Sequence, residues 1–218
     1  MRIQSVAVGA YGTNCYLIEQ EGHWMVVDPG EGRNAVLKYL QKEGIRPEKI
    51  AVTHGHMDHF ADAAEMAETY QIPIYFPRKE VGYLHSELAR RGPYDPAVFQ
   101  AFEEALSNWG VYVEEGDRIQ LDTLEFQILI LPGHSDAGMC LYEKSQGVVF
   151  AGDQLFYRSV GRADLYRGDG EDLLKSIRQK LLTLPEDTVV LPGHGPATRI
   201  DQEKAENPYL NGEMSWGM

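Results

Sequence analysis

Runs of apolar, β-branched and aromatic residues occupy 14–19 and 24–28, joined across Gln20-Glu21-Gly22-His23, and predict a β-hairpin. The period then changes. Val36, Leu37 and Leu40 fall at helical spacing, so a helix is predicted over 34–43, with Gly44 as its stop. A short strand over 50–53 and an Ala-, Glu- and Met-rich helix over 60–70 complete a βαβα opening. Residues 78–117 look inserted: two helical patterns, about 81–91 and 97–109, flank Gly92-Pro93-Tyr94-Asp95-Pro96. Strands return between 118 and 151, with turns at Leu131-Pro132-Gly133 and Ser145-Gln146-Gly147; the longest apolar run, 126–131, is one of them. A helix over 172–182 and a strand over 188–191 close the pattern, and the tail after Thr198 reads as short and polar.

A chain of 218 residues suits one domain spanning 1–218, with the helical insertion at about 78–117 acting as a lid or a packing flange. The net charge of −13 opposes nucleic acids and anionic membranes, which need a basic patch. No stretch approaches the ~20 apolar residues of a membrane span. The opening Met1-Arg2-Ile3-Gln4-Ser5 lacks the apolar core and cleavage site of a secretory signal, so a cytoplasmic address is expected. Cys15 and Cys140 form no CxxC pair and sit among strand-like residues, which predicts buried, reduced thiols.

The chemistry concentrates in Thr53-His54-Gly55-His56-Met57-Asp58-His59. His54, His56, Asp58 and His59 leave a strand end together, and imidazole with carboxylate is the usual ligand set of zinc and its neighbours. A solvated His-rich turn or a lone structural site is the plain alternative; the strand-then-helix context favours a catalytic metal. Further donors lie far along the chain. His134 and His194 each follow a Leu-Pro-Gly, and Asp153 follows the buried-type strand 148–152 ending in Gly. Taken singly, each reads equally well as a hydrogen-bonded strand-end histidine or a capping aspartate.

Together these motifs resemble the metallo-β-lactamase superfamily through nearly the whole chain: 53–59 its signature, Val27-Asp28-Pro29-Gly30 its early turn, and 131–135, 151–153 and 192–196 its later motifs. The resemblance implies a four-layer αβ/βα sandwich, two sheets face to face with metals at one edge. It implies one ion on His54, His56 and His134, a second on Asp58, His59 and His194, and Asp153 bridging both. The cofactors are then two divalent ions, zinc first, with iron or manganese as alternatives. They would share a hydroxide that acts as nucleophile, with Asp58 and Asp153 as the catalytic carboxylates.

Within the superfamily, Leu155-Phe156, Ser159-Val160-Gly161-Arg162, the Pro-Gly-His-Gly-Pro-Ala run at 192–197 and Glu206-Asn207-Pro208-Tyr209-Leu210 resemble short glyoxalase II-like hydrolases. That likeness implies hydrolysis of a small-molecule thioester, S-lactoylglutathione to lactate and glutathione. It places Arg162 against glutathione, with Tyr157, Arg158 and Tyr166 as further contacts. Tyr83 and Tyr94 either close over the pocket or belong to the core, and His23 and His85 read as surface or capping histidines. The chain ends soon after His194, where full-length glyoxalase II enzymes carry a helical domain, so other thioesters, esters or lactones stay open. The rival is a persulfide dioxygenase holding one iron on His54, His134 and Asp153. Flavin-coupled di-iron reductases replace the residue at His56 by glutamate, and the commonest zinc β-lactamases put cysteine at Asp153. A structural or sensory zinc site would be four-coordinate and often cysteine-rich. Oligomeric state is left open.

Overall fold

The computed structural model describes residues 1–87 and 95–214. They form two compact units, 1–113 with 120–124, and 114–119 with 125–218. Together the units hold two six-stranded mixed sheets with helices, the predicted α/β class.

In the first unit, strands β1 (Arg2–Val8), β2 (Thr13–Gln20) and β3 (His23–Val27) make an antiparallel meander. From β3 onward the pairing is parallel, through β4 (Lys49–Ala51), β5 (Ile74–Pro77) and β6 (Gly110–Val113). Each parallel step needs a helical crossover. These are α1 (Ala35–Lys42), then α2 (Met57–Phe60) with α3 (Ala63–Tyr70), then α4 (Val81–Leu84) with α5 (Pro96–Trp109). Val36, Leu37 and Leu40 of α1 and Phe99, Phe102 and Leu106 of α5 are buried in one core with Leu17, Val26, Ile50 and Phe76. Phe60 stacks on Phe102 at 4.3 Å between centroids and meets Phe99 edge-on at 5.3 Å.

Several predicted boundaries move. β1 had no counterpart in the sequence reading. Of the helix predicted over 60–70, Phe60 is the last residue of α2 and α3 starts only at Ala63, because the Asp62 amide donates to Gly30 O (2.9 Å), outside the helix ladder, and its carboxylate accepts from the amides of Gly32 (2.9 Å) and Asn34 (2.8 Å). The helix predicted over 81–91 is helical only to Leu84; 88–91 lie outside the described residues, as does Tyr94. Within the 78–117 segment α5 runs to Trp109, and the chain then supplies β6 to the first sheet.

The second unit is built on β8 (Leu124–Leu131), β9 (Gly138–Glu143), β10 (Val148–Gly152), β13 (Val189–Pro192) and β14 (Thr198–Arg199), with β7 (Arg118–Leu121) ending the sheet. β10 and β13 are parallel, and the crossover between them carries a hairpin, β11 (Leu155–Phe156) with β12 (Ser159–Val160), and α6 (Gly170–Ser176), continued by a wider turn over Ile177–Leu181. The Asp169 carboxylate caps α6 by accepting from Glu171 N and Asp172 N, so the helix starts before the predicted 172. Leu173, Ile177 and Leu181 pack with Leu131, Val149, Val190 and Ile200. The tail is not merely polar chain: Ile200–Glu206 is a helix, α7, with Ile200 and Glu203 fully buried. Cys15 and Cys140 are free and buried, and burial raises both thiols above their ordinary value, as the sequence led one to expect. Among the described residues no helix is long and apolar enough to cross a membrane.

Candidate metal centre

In the first unit the chain leaves β4 and enters α2 through 52–56, and one buried carboxylate organises this passage. Asp28, at the end of β3, has φ +49, in the left-handed region that aspartate tolerates better than most residues. Its Oδ1 accepts from Thr53 N (2.8 Å), and its Oδ2 accepts from Thr53 Oγ1 (2.8 Å) and His59 Nδ1 (2.8 Å). A carboxylate only accepts, so Nδ1 of His59 carries the proton and Nε2 is left to present a lone pair. Thr53 Oγ1 has spent its hydrogen on Asp28 and therefore accepts from His54 Nδ1 at 3.0 Å, which fixes His54 in the same tautomer. His54 Nε2 then stands 2.9 Å from His56 Nδ1, and the His54 ring centroid lies 4.6 Å from that of His56 and 4.2 Å from that of His59.

Gly55, between the two histidines, donates its amide to the buried Glu80 carboxylate (3.0 Å), and a Cβ there would meet Tyr83 Cδ1 at 2.9 Å. The motif's glycine is thus a packing requirement. Asp58 accepts from Thr13 Oγ1 (2.9 Å), and the same Oδ2 lies 3.6 Å from His59 Nε2.

The second unit assembles the other donors. Pairing of β10 with β13 shifts register between Phe150 and Gly152, and Gly152 takes φ +50, so the strand end turns and delivers Asp153 out of the ladder. His134 follows Gly133, whose φ of +126 and whose position, 2.2 Å from Leu173 N for any added Cβ, admit only glycine. Nδ1 of His134 donates to the carbonyl oxygen of Arg162 at 2.7 Å, again leaving Nε2. Asp153 Oδ2 lies 3.6 Å from His134 Nε2 and 3.4 Å from His194 Nε2.

These separations bear on the metal. Three nitrogen–oxygen pairs, His59–Asp58, His134–Asp153 and His194–Asp153, stand at 3.6, 3.6 and 3.4 Å, longer than a good hydrogen bond. Two ligands about 2.1 Å from one ion at a tetrahedral angle stand ~3.4 Å apart, so the spacing is that of groups sharing a cation. Outer partners on Nδ1 of His54, His59 and His134 are the usual means of orienting metal-ligating imidazoles. The donor set fits divalent metal.

The residues expected at the substrate lie in the second unit. Tyr157 and Arg158 form the turn of the β11–β12 hairpin and are exposed; the Arg158 guanidinium sits over the Tyr157 ring (5.2 Å) and pairs with Glu206. Arg162 is exposed and doubly paired with Asp164 at 2.7 and 2.8 Å. Tyr166 lies under the guanidinium of Arg167, which pairs with Asp136. Tyr83 is buried, its ring edge-on to His56 at 5.3 Å between centroids. His23 and His85 make surface pairs with Glu48 and Glu103. The sequence reading passed over Thr13, Glu80 and Glu203, and took Asp28 only as part of a turn.

Residues 8–194 match the family model described as the metallo-beta-lactamase superfamily. The chain is 33% identical to the "Probable metallo-hydrolase YqgX" of Bacillus subtilis, covering 97% of this chain and 99% of that one. It is 34% identical to "Hydroxyacylglutathione hydrolase GloC" of Haemophilus influenzae, again over 97% and 99%. Among solved structures it resembles the BLEG-1 B3 metallo-beta-lactamase (TM-score 0.81, 32% identity, 97% and 100% covered). It also resembles TTHA1623 in a di-iron-bound form (TM-score 0.78, 34% identity, 95% and 100% covered).

Proposed function

The chain belongs to the metallo-β-lactamase superfamily, and from that premise we propose that it is a binuclear metallohydrolase of thioesters, glyoxalase II-like, with S-lactoylglutathione or a close analogue as substrate. The observation that carries this reading is 34% identity with a hydroxyacylglutathione hydrolase over 97% of this chain and 99% of that one. In this reading His54, His56 and His134 hold one divalent ion, Asp58, His59 and His194 hold the second, and Asp153 belongs to both. Zinc is the first choice; the di-iron neighbour makes iron the second.

Bound ions would lower the pKa of a water from about 16 toward about 7 and polarise the thioester carbonyl. The chain's own residues orient and move protons. Asp28 and the Arg162 carbonyl keep the imidazoles of His59 and His134 in the tautomer that leaves Nε2 for the metal. Asp58, steadied by Thr13 on one oxygen, takes the proton as water adds to the thioester carbonyl and returns it to the thiolate released when the C–S bond breaks. Arg162 faces the acidic end of the acyl-thiol conjugate. The address proposed is the cytoplasm, and the partner a small molecule only.

The test is thiol release from S-lactoylglutathione by zinc-loaded protein, with Asp58→Ala and Asp153→Ala as controls. Hydrolysis by the wild type and its loss in both variants, with at least one ion lost from Asp153→Ala, is the expected result. Oxygen uptake with glutathione persulfide by iron-loaded protein and no hydrolysis would replace this reading with a mononuclear dioxygenase. Ring opening of a cephalosporin without thioester cleavage would shift it toward the β-lactamases.

A further inference from the structure

We propose that Glu203 and Asn207 form a clamp that positions Asp153 and His134 by holding the tip of the β11–β12 hairpin. It rests on the reading of those two residues as metal ligands, and not on the identity of the substrate.

Glu203 is fully buried on α7, and its carboxylate is filled by donors. Arg158 N reaches Oε1 at 3.1 Å and Oε2 at 3.0 Å, Thr198 Oγ1 reaches Oε1 at 2.5 Å, and Asn207 Nδ2 reaches Oε2 at 2.7 Å. A carboxylate is costly to bury, and hydrogen bonding of this density is what offsets the cost. Two of the bonds end on the hairpin. Arg158 has φ +54, which turns its amide inward toward Glu203, and the buried Asn207 also donates Nδ2 to Ser159 O at 3.0 Å. The turn and the start of β12 are therefore tied to α7 and to Asn207 just past it.

The base of the same hairpin is the metal site. Leu155 pairs with Val160 and Phe156 with Ser159, and Gly161 N closes on Gln154 O at 3.3 Å. One leg begins at Asp153; the other runs through Gly161 to Arg162, whose carbonyl orients His134. The legs touch closely enough that a Cβ on Gly161 would lie 1.8 Å from Asp153 O and 3.1 Å from His134 Nδ1. A short hairpin fixed at its tip and packed on both ligands at its base behaves as a lever. Metal sites tolerate misplacement of only about 0.5 Å, so loosening the tip should be felt by the ligands. This gives a role to the contact between the 155–162 motif and the tail motif at 206–210, whose Tyr209 and Leu210 pack against the cluster that holds Leu155 and Val160.

The experiment measures zinc release to a colorimetric chelator, thermal midpoint, and backbone hydrogen exchange of the metal-free protein across 155–162. Glu203→Gln leaves one acceptor oxygen and turns an NH2 toward Arg158 N or Asn207 Nδ2, weakening the hold on the hairpin, and Asn207→Ser removes the bond to Ser159 O; Thr198→Val removes a bond to the same carboxylate without touching the hairpin. The expected result is zinc release at least ten times faster, and faster exchange over 155–162, in the first two. Thr198→Val should lower the midpoint yet release zinc at the wild-type rate. Release unchanged in Glu203→Gln, or accelerated equally in Thr198→Val, overturns the clamp in favour of a stability network. If Glu203→Gln does not fold, Asn207→Ser decides alone, and an unchanged release rate overturns the proposal. Failure of the wild type to cleave thioesters would fall on the proposed function and leave this comparison standing.

Discussion

His134 takes its orientation from the main chain of Arg162: Nδ1 lies 2.7 Å from that residue's carbonyl oxygen, while the Arg162 guanidinium points to Asp164. One residue therefore serves the metal with its backbone and the surface with its side chain. Arg162→Ala should keep the wild-type metal content, because the carbonyl remains. Elemental analysis after dialysis checks this; loss of an ion would mean that the side chain also supports the loop.

Asp28 has no such division of labour. Its two oxygens accept from His59, from the Thr53 hydroxyl and from the Thr53 amide, and Thr53 in turn orients His54. Asp28→Asn would turn an NH2 toward one of these donors and leave a buried donor unmatched. Metal affinity should fall roughly 10- to 100-fold, the usual consequence of removing an outer-shell carboxylate. Competition against a chelator of known affinity measures it, and a change under threefold would remove Asp28 from the site.

The difference between those two supports also marks what a sequence discloses. Of the seven proposed metal donors, His54, His56, His134, Asp153 and His194 follow strand ends, while Asp58 and His59 open α2, and the pattern of apolar runs placed most of the helices and strands around them. A main-chain acceptor such as Arg162 O has no residue signature, since any amino acid supplies it. Thr13 and Glu80 act across 45 and 25 positions of sequence, and such contacts exist only once the sheet is formed. The break between α2 and α3 was hidden for the same reason: it is made by bonds of Asp62 to Gly30, Gly32 and Asn34, all from a distant part of the chain. β1 has one buried residue in seven, so its sequence lacks the alternation that reveals a strand. In α7 the polar majority masked Ile200 and Glu203, the two positions that anchor it.

Asp62 should make stability fall as pH rises. Burial raises its carboxyl above the ordinary value, against the lowering effect of the Asn34 and Gly32 amides it accepts from. A carboxyl with a higher pKa folded than unfolded binds more protons in the folded state, so its contribution is fully present below the unfolded value and is lost as pH rises through the folded one. Asp62→Asn keeps an oxygen for both amides and cannot ionise. Its urea midpoint should match or exceed that of the wild type at pH 7, with the gap closing at acid pH. A variant less stable at pH 7 than at pH 4, relative to wild type, would show that the amide cannot replace the carboxylate.

If the substrate is acidic, as proposed, Asp164 competes with it for Arg162. The guanidinium donates from Nε and Nη2 to both carboxylate oxygens, at 2.7 and 2.8 Å, and this pairing lowers the Asp164 carboxyl to about 2. Both side chains are largely exposed, so the pair adds little to stability. A depressed carboxyl keeps its partner above the unfolded value and loses it only as pH falls through the folded one, so the pair is intact at any assay pH from about 5 upward. A substrate carboxylate must then displace Asp164 to reach the guanidinium bidentately, and part of its binding energy goes into that exchange. Asp164→Asn should lower KM several-fold for a thioester with a free carboxylate and leave a neutral thioester unaffected, at constant turnover. Arg162→Ala should raise KM for the acidic substrate about tenfold, equivalent to ~1.4 kcal/mol, and adding Asp164→Asn to it should change nothing further. Equal KM values for both substrates in all three variants would take Arg162 out of substrate recognition and leave it the single task its carbonyl performs.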